Sequence, residues 1–386
     1  VDHRVDPPHE VGQVVRGEHR IPRTRCRSDP PRWGFARLRV LTADDAQDEV
    51  RGAMQALVTG ASGFLGRRTV RALRARGHSI RAMVRPTTSV QGSGWDDEEE
   101  IEVVRADLLT SDDLADLVRG VDAVVHLAAA VTGTDDEIFK NTVEGTQRLL
   151  KALTAAGVKR LVLCSSFSVY NYRKIASGEM LTEESPLLDH PDLHKRNGYS
   201  VAKTWQERIV RTWAAEQGGA LTVLRPGFIW GPDHEFQPCL GLEIGPVHAL
   251  MSPSRTLALT YVENCADAIA AATEDERAIG ETFNVVDAED VTPAEYTRAY
   301  REAKDLGGVT LPVPYFVGIS AAELATGLGQ VLLRGKVKLP GLLVPHRFEP
   351  RFKPFDVSKH RLRDRLGWQQ PVPYAEALAR TYGESS

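Results

Sequence analysis

The hydrophobic positions of this chain fall into a regular rhythm only from Gln55 onward. There the sequence runs QALVTGASGFLGRRTVRALRARGHSIRAMVR: a short apolar run, a glycine turn, a stretch with apolar residues at helical spacing that ends at Gly77, and a second apolar run. That order predicts one β-α-β unit. The rhythm continues with a strand over Ile101–Val104 and a helix over Asp112–Arg119, capped by Ser111 and stopped by Gly120. A strand over Val121–Leu127, a long helical stretch from Asp135 to Ala156 and a strand over Arg160–Cys164 follow. Strands that are almost continuously apolar, alternating with amphipathic helices, predict an α/β fold: a doubly wound parallel sheet covered on both faces.

Residues 1–53 have no such pattern. They are rich in Arg, Pro, Asp and His, contain no lysine and show neither a period of 3.6 nor one of 2. No apolar segment of a secretory signal is present, and acids such as Asp2, Asp6 and Glu10 speak against a transit peptide. Three readings stay open: a disordered tail, upstream sequence preceding a start at Met54, and a basic arm around Arg16 to Arg39. The expected division is therefore 1–53 as an extension, 54–226 as the sheet domain, and 227–386 mainly as a second lobe with segments returning to the sheet.

Composition narrows the class. The chain has 386 residues, 42% hydrophobic and 26% charged, with a formal net charge of -4. It can bury a large core, and disordered, collagen-like and disulfide-stapled classes are excluded. A slightly acidic chain offers no electrostatic reason to bind nucleic acid. Cys26, Cys164, Cys239 and Cys265 form no CxxC pair, which suits a reducing, cytoplasmic compartment and predicts neither a zinc knuckle nor a disulfide framework. No apolar run approaches the ~18 residues that span a bilayer.

Gly60, Gly63 and Gly66 stand at G-x-x-G-x-x-G spacing between the first strand and its helix. The first permits the tight turn, the second lets backbone approach a pyrophosphate, and the third lets the helix pack on the strand, with the helix amino terminus facing phosphate charge. This places the chain with Rossmann-type dinucleotide binders. An acid at the end of the second strand binds a free ribose hydroxyl, whereas a base accommodates a 2′-phosphate. Arg81 and Arg85 stand there without an acid, and Arg67 follows the third glycine, so NADP is preferred over NAD. Ligands of such folds bind beyond the carboxyl ends of the strands, which puts HLAAA at 126–130 and CSSFSVY at 164–170 at the site edge.

A second constellation carries reaction chemistry. Tyr199-Ser-Val-Ala-Lys203 opens a helical stretch, and a spacing of four places both side chains on one helix face. A cation beside a phenol stabilises the phenolate, so the hydroxyl can exchange a proton with a substrate oxygen. Ser166, at a strand end, is placed to donate to the same oxygen. His190 and His194 have ligand-like spacing, but Pro191 breaks the helix such a site would use; they are read as a loop, and no metal site is expected.

In chain order, TGASGFLG, Asp107 in ADL, HLAAA, the paired serines before VY, YSVAK and LRPGFIWGP resemble the extended short-chain dehydrogenase/reductase superfamily, in its NAD-dependent epimerase/dehydratase branch. The resemblance runs from Met54 to the carboxyl end and includes YVENCADAI at 261–269 and FDVSKHRLRDRLGW at 355–368. It implies a catalytic trio of Tyr199 as proton donor or acceptor, Lys203 holding the nicotinamide ribose and lowering the tyrosine pKa, and Ser166 polarising the reacting oxygen. It also implies cofactor contacts from Gly60, Ser62, Gly63, Phe64, Leu65 and Gly66, from Asp107 and Leu108 near the adenine, and from Arg85 at the adenosine phosphate. Leu127, Ala128 and Ala129, and Pro226 on the nicotinamide side, complete the set. A homodimer through the helices carrying Asn141 and Tyr199 is a further implication.

Departures from the family pattern sharpen the substrate. Sugar-nucleotide dehydratases place an Asp-Glu pair where this chain has Phe167-Ser168, so dehydration is not expected. Nucleotide-sugar epimerases place a diphosphate-binding asparagine where Phe228 stands, and their arginine falls later than Arg255. The family's asparagine is displaced too, with Thr142 at its place and Asn141 before it. These differences favour the branch resembling 3β-hydroxysteroid dehydrogenases and dihydroflavonol reductases: hydride transfer between nicotinamide and a secondary alcohol or ketone. The alternatives are an epimerase with transient hydride transfer and a non-catalytic dinucleotide-binding sensor or scaffold. The stretch LPVPYFVGISAAELATGLGQVLL is read as an ordinary buried helix, with a cavity lining or membrane-surface contact as the other readings; no stable membrane insertion is expected.

Overall fold

The computed structural model describes residues 52–95, 100–189, 193, 196–235, 237, 239–332 and 343–383. The expected extension, apart from its last two residues, and His190 and His194 lie outside them. The strands are β1 (Gln55–Thr59), β2 (Ser79–Val84), β3 (Ile101–Arg105), β4 (Ala123–His126), β5 (Arg160–Cys164), β6 (Met180–Leu181), β7 (Ala220–Pro226), β8 (Phe228–Trp230), β9 (Gly241–Ile244), β10 (Val247–Met251), β11 (Leu259–Tyr261), β12 (Thr282–Val285), β13 (Val309–Val313) and β14 (Asp356–Val357). The helices are α1 (Phe64–Ala75), α2 (Leu114–Val118), α3 (Asp135–Phe139), α4 (Gly145–Ala156), α5 (Gly198–Gln217), α6 (Val262–Glu274), α7 (Pro293–Ala303), α8 (Tyr315–Leu332), α9 (Pro345–Phe352), α10 (Arg361–Leu366) and α11 (Tyr374–Tyr382).

Seven parallel strands form the main sheet in the order β12-β7-β5-β4-β1-β2-β3. Its strands are apolar on both faces because helices cover both. On one face Val70 and Leu73 of α1 pack with Cys265, Ala268, Ile269 and Ala272 of α6 over Val58, Val125 and Val162. On the other, Leu149 and Leu153 of α4 and Val210 and Trp213 of α5 cover Leu57, Val124 and Leu161. Each such side chain contributes about 1.5–3 kcal/mol of burial. The strand order reverses between β1 and β4, and the crevice at that reversal is where a doubly wound sheet takes its ligand. The carboxyl-terminal region sends β12 and α6 back to the main sheet and builds a separate three-stranded sheet, β13-β10-β9, beside it.

Local details differ from the sequence reading. Helix α2 is shorter than expected and is capped by Asp113, whose side chain accepts from Asp116 N; the Ser111 hydroxyl instead accepts from Asp107 N at 2.9 Å. The long helix from Asp135 is broken into α3 and α4 by a π turn over Lys140–Glu144, which holds the displaced Asn141. Helix α8 is not an ordinary buried helix. Tyr315 and Ile319 pack on Phe348 and Phe352, but Phe316, Val317, Leu324 and Leu328 are exposed, because the lobe offers partners to one side only. Among the described residues no helix is long and apolar enough to cross a membrane.

Candidate active site

The loop after β1 is shaped by its glycines. Gly60 has φ +71°, the left-handed region, and its carbonyl accepts from Gly63 N at 3.0 Å. A Cβ on Gly66 would stand 2.1 Å from that same carbonyl oxygen, so any side chain there would push α1 off the strand. The loop borders two cavities. The smaller, about 240 Å³, is lined by Ser62, Arg85, Asp107, Leu108 and Ala128 among others. The larger, about 620 Å³, is lined by Phe64, Leu65, Gly66, Ser166, Tyr199, Lys203 and Pro226 among others. Gly60, Gly63, Leu127 and Ala129 line both. Apart from Arg67 and Arg81, the residues expected to touch cofactor or substrate therefore line one of two cavities, and the turn, whose glycines at 60, 63 and 66 let backbone approach closely, fits a dinucleotide.

The arginines divide. Arg85 is well exposed, with its Nε 4.0 Å from Asp107 Oδ2 at the rim of the smaller cavity. Arg81, expected beside it, is turned away: it pairs with Glu102 at 2.7 Å and donates to Leu117 O at 2.8 Å, because a residue three places before the strand end faces the α2 side of the sheet. Arg67 lines neither cavity.

Tyr199 sits in the first turn of α5, whose start is capped by Asn197 accepting from Ser200 N at 2.9 Å. Gly198 N donates to Asp135 at 3.0 Å, which ties this turn to α3. Burial pushes the Tyr199 phenol up to about 12, outweighing the neighbouring Ser166 hydroxyl, which favours the phenolate. Ser166 Oγ accepts from Ser168 N at 3.1 Å, which fixes its rotamer. Lys203 is buried, its Nζ donating to Cys164 O at 2.6 Å and to Gln206 Oε1; burial pulls its pKa down to about 8. The expected lowering of the tyrosine pKa is thus not found here. The ammonium is directed at Cys164 and Gln206, and desolvation governs the phenol.

Beneath the lysine lies a buried network that the sequence did not disclose. Gln206 Nε2 lies within hydrogen-bonding distance of Ala128 O, Thr146 Oγ1 and His126 Nε2, at 3.2, 2.9 and 3.1 Å. His126 Nδ1 stands 2.7 Å from Thr59 Oγ1, and burial followed by the Lys203 charge takes the imidazole down to about 3, so it is neutral. Thr142, at the family's asparagine position, accepts from Ala130 N at 3.0 Å, while Asn141 lines the smaller cavity.

The carboxyl-terminal lobe contributes Phe228, as expected, and Arg347 and Arg351 to the larger cavity, and Tyr172 and Arg196, from before β7, also line it; apart from Phe228 none of these is expected from the sequence. The spacing of Arg347 and Arg351 by four in α9 was a legible signal for a shared face. Arg255 does not line the cavity; it donates to Cys239 O at 2.9 Å and Arg351 O at 2.6 Å, and so anchors α9 to the lobe.

The family pattern described as NAD dependent epimerase/dehydratase matches residues 56–285. Over 344 residues the chain is 31% identical to a 3 beta-hydroxysteroid dehydrogenase/Delta 5-->4-isomerase of Mycobacterium tuberculosis, covering 83% of this chain and 88% of that protein. Over 246 residues it is 30% identical to tetraketide alpha-pyrone reductase 2 of Arabidopsis thaliana, covering 58% of this chain and 75% of the relative. A crystal structure of UDP-glucuronic acid 4-epimerase from Bacillus cereus in complex with NAD shares the fold, with a TM-score of 0.63 at 19% identity over 85% of this chain and 97% of that one.

Proposed function

Because the chain belongs to the NAD-dependent epimerase/dehydratase family and is an NAD(P)-dependent oxidoreductase, we propose that it reduces a ketone, or oxidises the matching secondary alcohol, at Tyr199, Lys203 and Ser166. When bound, the nicotinamide supplies hydride exchange with the reacting carbon. Tyr199 Oη holds the proton that passes to or from the substrate oxygen. With its phenol at about 12, the hydroxyl is protonated at neutral pH and is set to act as an acid, which matches the reductive direction. Ser166, its oxygen already accepting from Ser168 N, has its proton free to donate to the same substrate oxygen. Lys203 lines the larger cavity and keeps one N–H beyond the two given to Cys164 and Gln206.

The observation that carries this reading is that Tyr199, Ser166, Lys203 and the glycine loop all line one cavity. Phe228 and Tyr172, which line the same cavity, support a substrate with an apolar body. Steady-state turnover of a panel of apolar ketones with NADPH tests it. Stoichiometric oxidation of added cofactor is expected; interconversion of a nucleotide sugar without net cofactor oxidation would establish the epimerase instead.

NADP is the proposed cofactor, supported by Arg85 at the smaller cavity and the absence of an acid at the end of β2. Arg85→Ala is expected to weaken NADP+ binding about tenfold, measured by fluorescence titration, with a smaller effect on NAD+. Equal weakening of both would assign Arg85 to the adenine side rather than to a 2′-phosphate. The buried free thiols Cys164, Cys239 and Cys265 go with a reducing, cytoplasmic setting. The partly exposed Trp205 on α5 goes with a homodimer through the helices carrying Asn141 and Tyr199.

A further inference from the structure

The larger cavity has an unbalanced charge. Its lining includes the cations Arg196, Lys203, Arg347 and Arg351 and contains no Asp or Glu. Lys203 belongs to the reaction centre, and Arg196 is engaged by Ser168 O at 3.3 Å and Ser200 Oγ at 3.2 Å. Arg347 and Arg351 are different. They lie one turn apart on α9, both facing the cavity, and among the described residues neither has a carboxylate within ion-pair distance. Among the described residues Arg347 Nε, which is buried, has no hydrogen-bond partner. Glu349, on the same helix, does not line the cavity; it is buried, with Arg173 3.5 Å away and Lys353 beside it. Burial, with the neighbouring Arg347 charge adding to it, pulls the Arg351 guanidinium below its ordinary value.

Two half-buried guanidinium groups held together without a counter-charge cost folding energy, and an anion that both can fork onto removes the cost. A dinucleotide would not provide it, since its phosphates belong at the glycine loop and Arg85, and neither Arg347 nor Arg351 lines the smaller cavity. We infer that the substrate is an organic anion: an apolar body whose carboxylate or phosphate is received by the Arg347–Arg351 pair while its reacting carbon is held at Tyr199. The inference rests on the oxidoreductase reading of the Tyr199 site, and it adds the chemical class of the substrate.

Binding and turnover test it separately. Decanoate, decyl phosphate and the neutral decanamide are titrated into the NADP+-bound full chain by tryptophan fluorescence; in parallel, an apolar oxo-acid and its methyl ester are compared as substrates. The anions are expected to bind about 10- to 100-fold more tightly than the amide. The tighter of decanoate and decyl phosphate identifies carboxylate or phosphate as the group received. In the Arg347→Gln/Arg351→Gln double variant that preference, and the acid-over-ester ratio of kcat/KM, is expected to collapse by the same factor. Arg347→Lys/Arg351→Lys, which keeps the charge, should retain most of it and controls for folding. An amide that binds as well as the anions, or a preference that survives the Gln variant, would overturn the inference. Should neither oxo-substrate turn over, the binding arm still decides the anion subsite, and the failure falls on the hydride-transfer reading alone.

Discussion

Replacing Tyr199 by phenylalanine is expected to lower kcat about 10²- to 10⁴-fold with little change in KM, the loss that follows removal of a positioned general acid. The substitution deletes one oxygen from a side chain that lines the cavity with Ser166 and whose ring lies in the first turn of α5. The fold and the cavity walls are left in place, so binding of cofactor and substrate should survive. Burial holds the phenol near 12, so at pH 7 the wild-type residue carries the proton that reduction consumes, and phenylalanine carries none. Steady-state kinetics on any ketone turned over by the wild type, with thermal unfolding as the check on folding, make the measurement. A variant within tenfold of wild-type kcat would remove Tyr199 from the proton path and send the assignment to Ser166 or to water.

The largest loss of stability is expected at a buried ion pair behind the site. Arg225 on β7 donates to Glu207 on α5 at 2.5 and 3.2 Å, to Tyr170 Oη at 3.1 Å and to Glu183 O at 3.0 Å, and it stacks over the Tyr170 ring. Glu207 also accepts from Ser165 Oγ at 2.6 Å and from Arg211 at 2.8 Å. Burial alone would raise the glutamate, but Arg225 and the other donors hold it down at about 2. A depressed carboxylate contributes its stability above the ordinary value of 4.5 and loses it as pH falls toward 2. Arg225→Leu leaves Glu207 buried with only part of its partners, and about 3–5 kcal/mol should be lost, read as a lower urea midpoint. Glu207→Leu/Arg225→Leu should recover much of it, since no charge is then stranded. A single variant as stable as wild type would mean that Arg211 and Ser165 suffice for Glu207. Because the pair ties the helix of Tyr199 and Lys203 to the strand that ends at Pro226, partial activity loss should accompany the destabilisation.

Much of the fold and site was legible because its signals are local. The turn from Gly60 to Gly66 is dictated by backbone sterics within seven residues, and β5 begins and ends where the apolar run Arg160–Cys164 does. The Tyr199–Lys203 spacing is a property of one helix. The structure departs from the sequence pattern where another partner competes. Ser111 was taken by Asp107 N and the cap passed to Asp113; Arg81 was taken by Glu102 on the neighbouring strand. Helix α8 is apolar all round, which in isolation reads as core, yet the lobe covers only the side that meets α9.

The sequence alone therefore determined the class of fold, the glycine turn and the Tyr199–Lys203 spacing on which the proposed reaction centre rests, since each depends on spacings of a few residues along one element. Only the tertiary structure decided what surrounds them. Gln206 and neutral His126 beneath Lys203, burial rather than charge governing Tyr199, and Arg347 and Arg351 facing the reaction centre all depend on contacts between residues tens to hundreds of positions apart. Desolvation and charge pairing are set by what packs around a group in space, and chain order does not encode that directly.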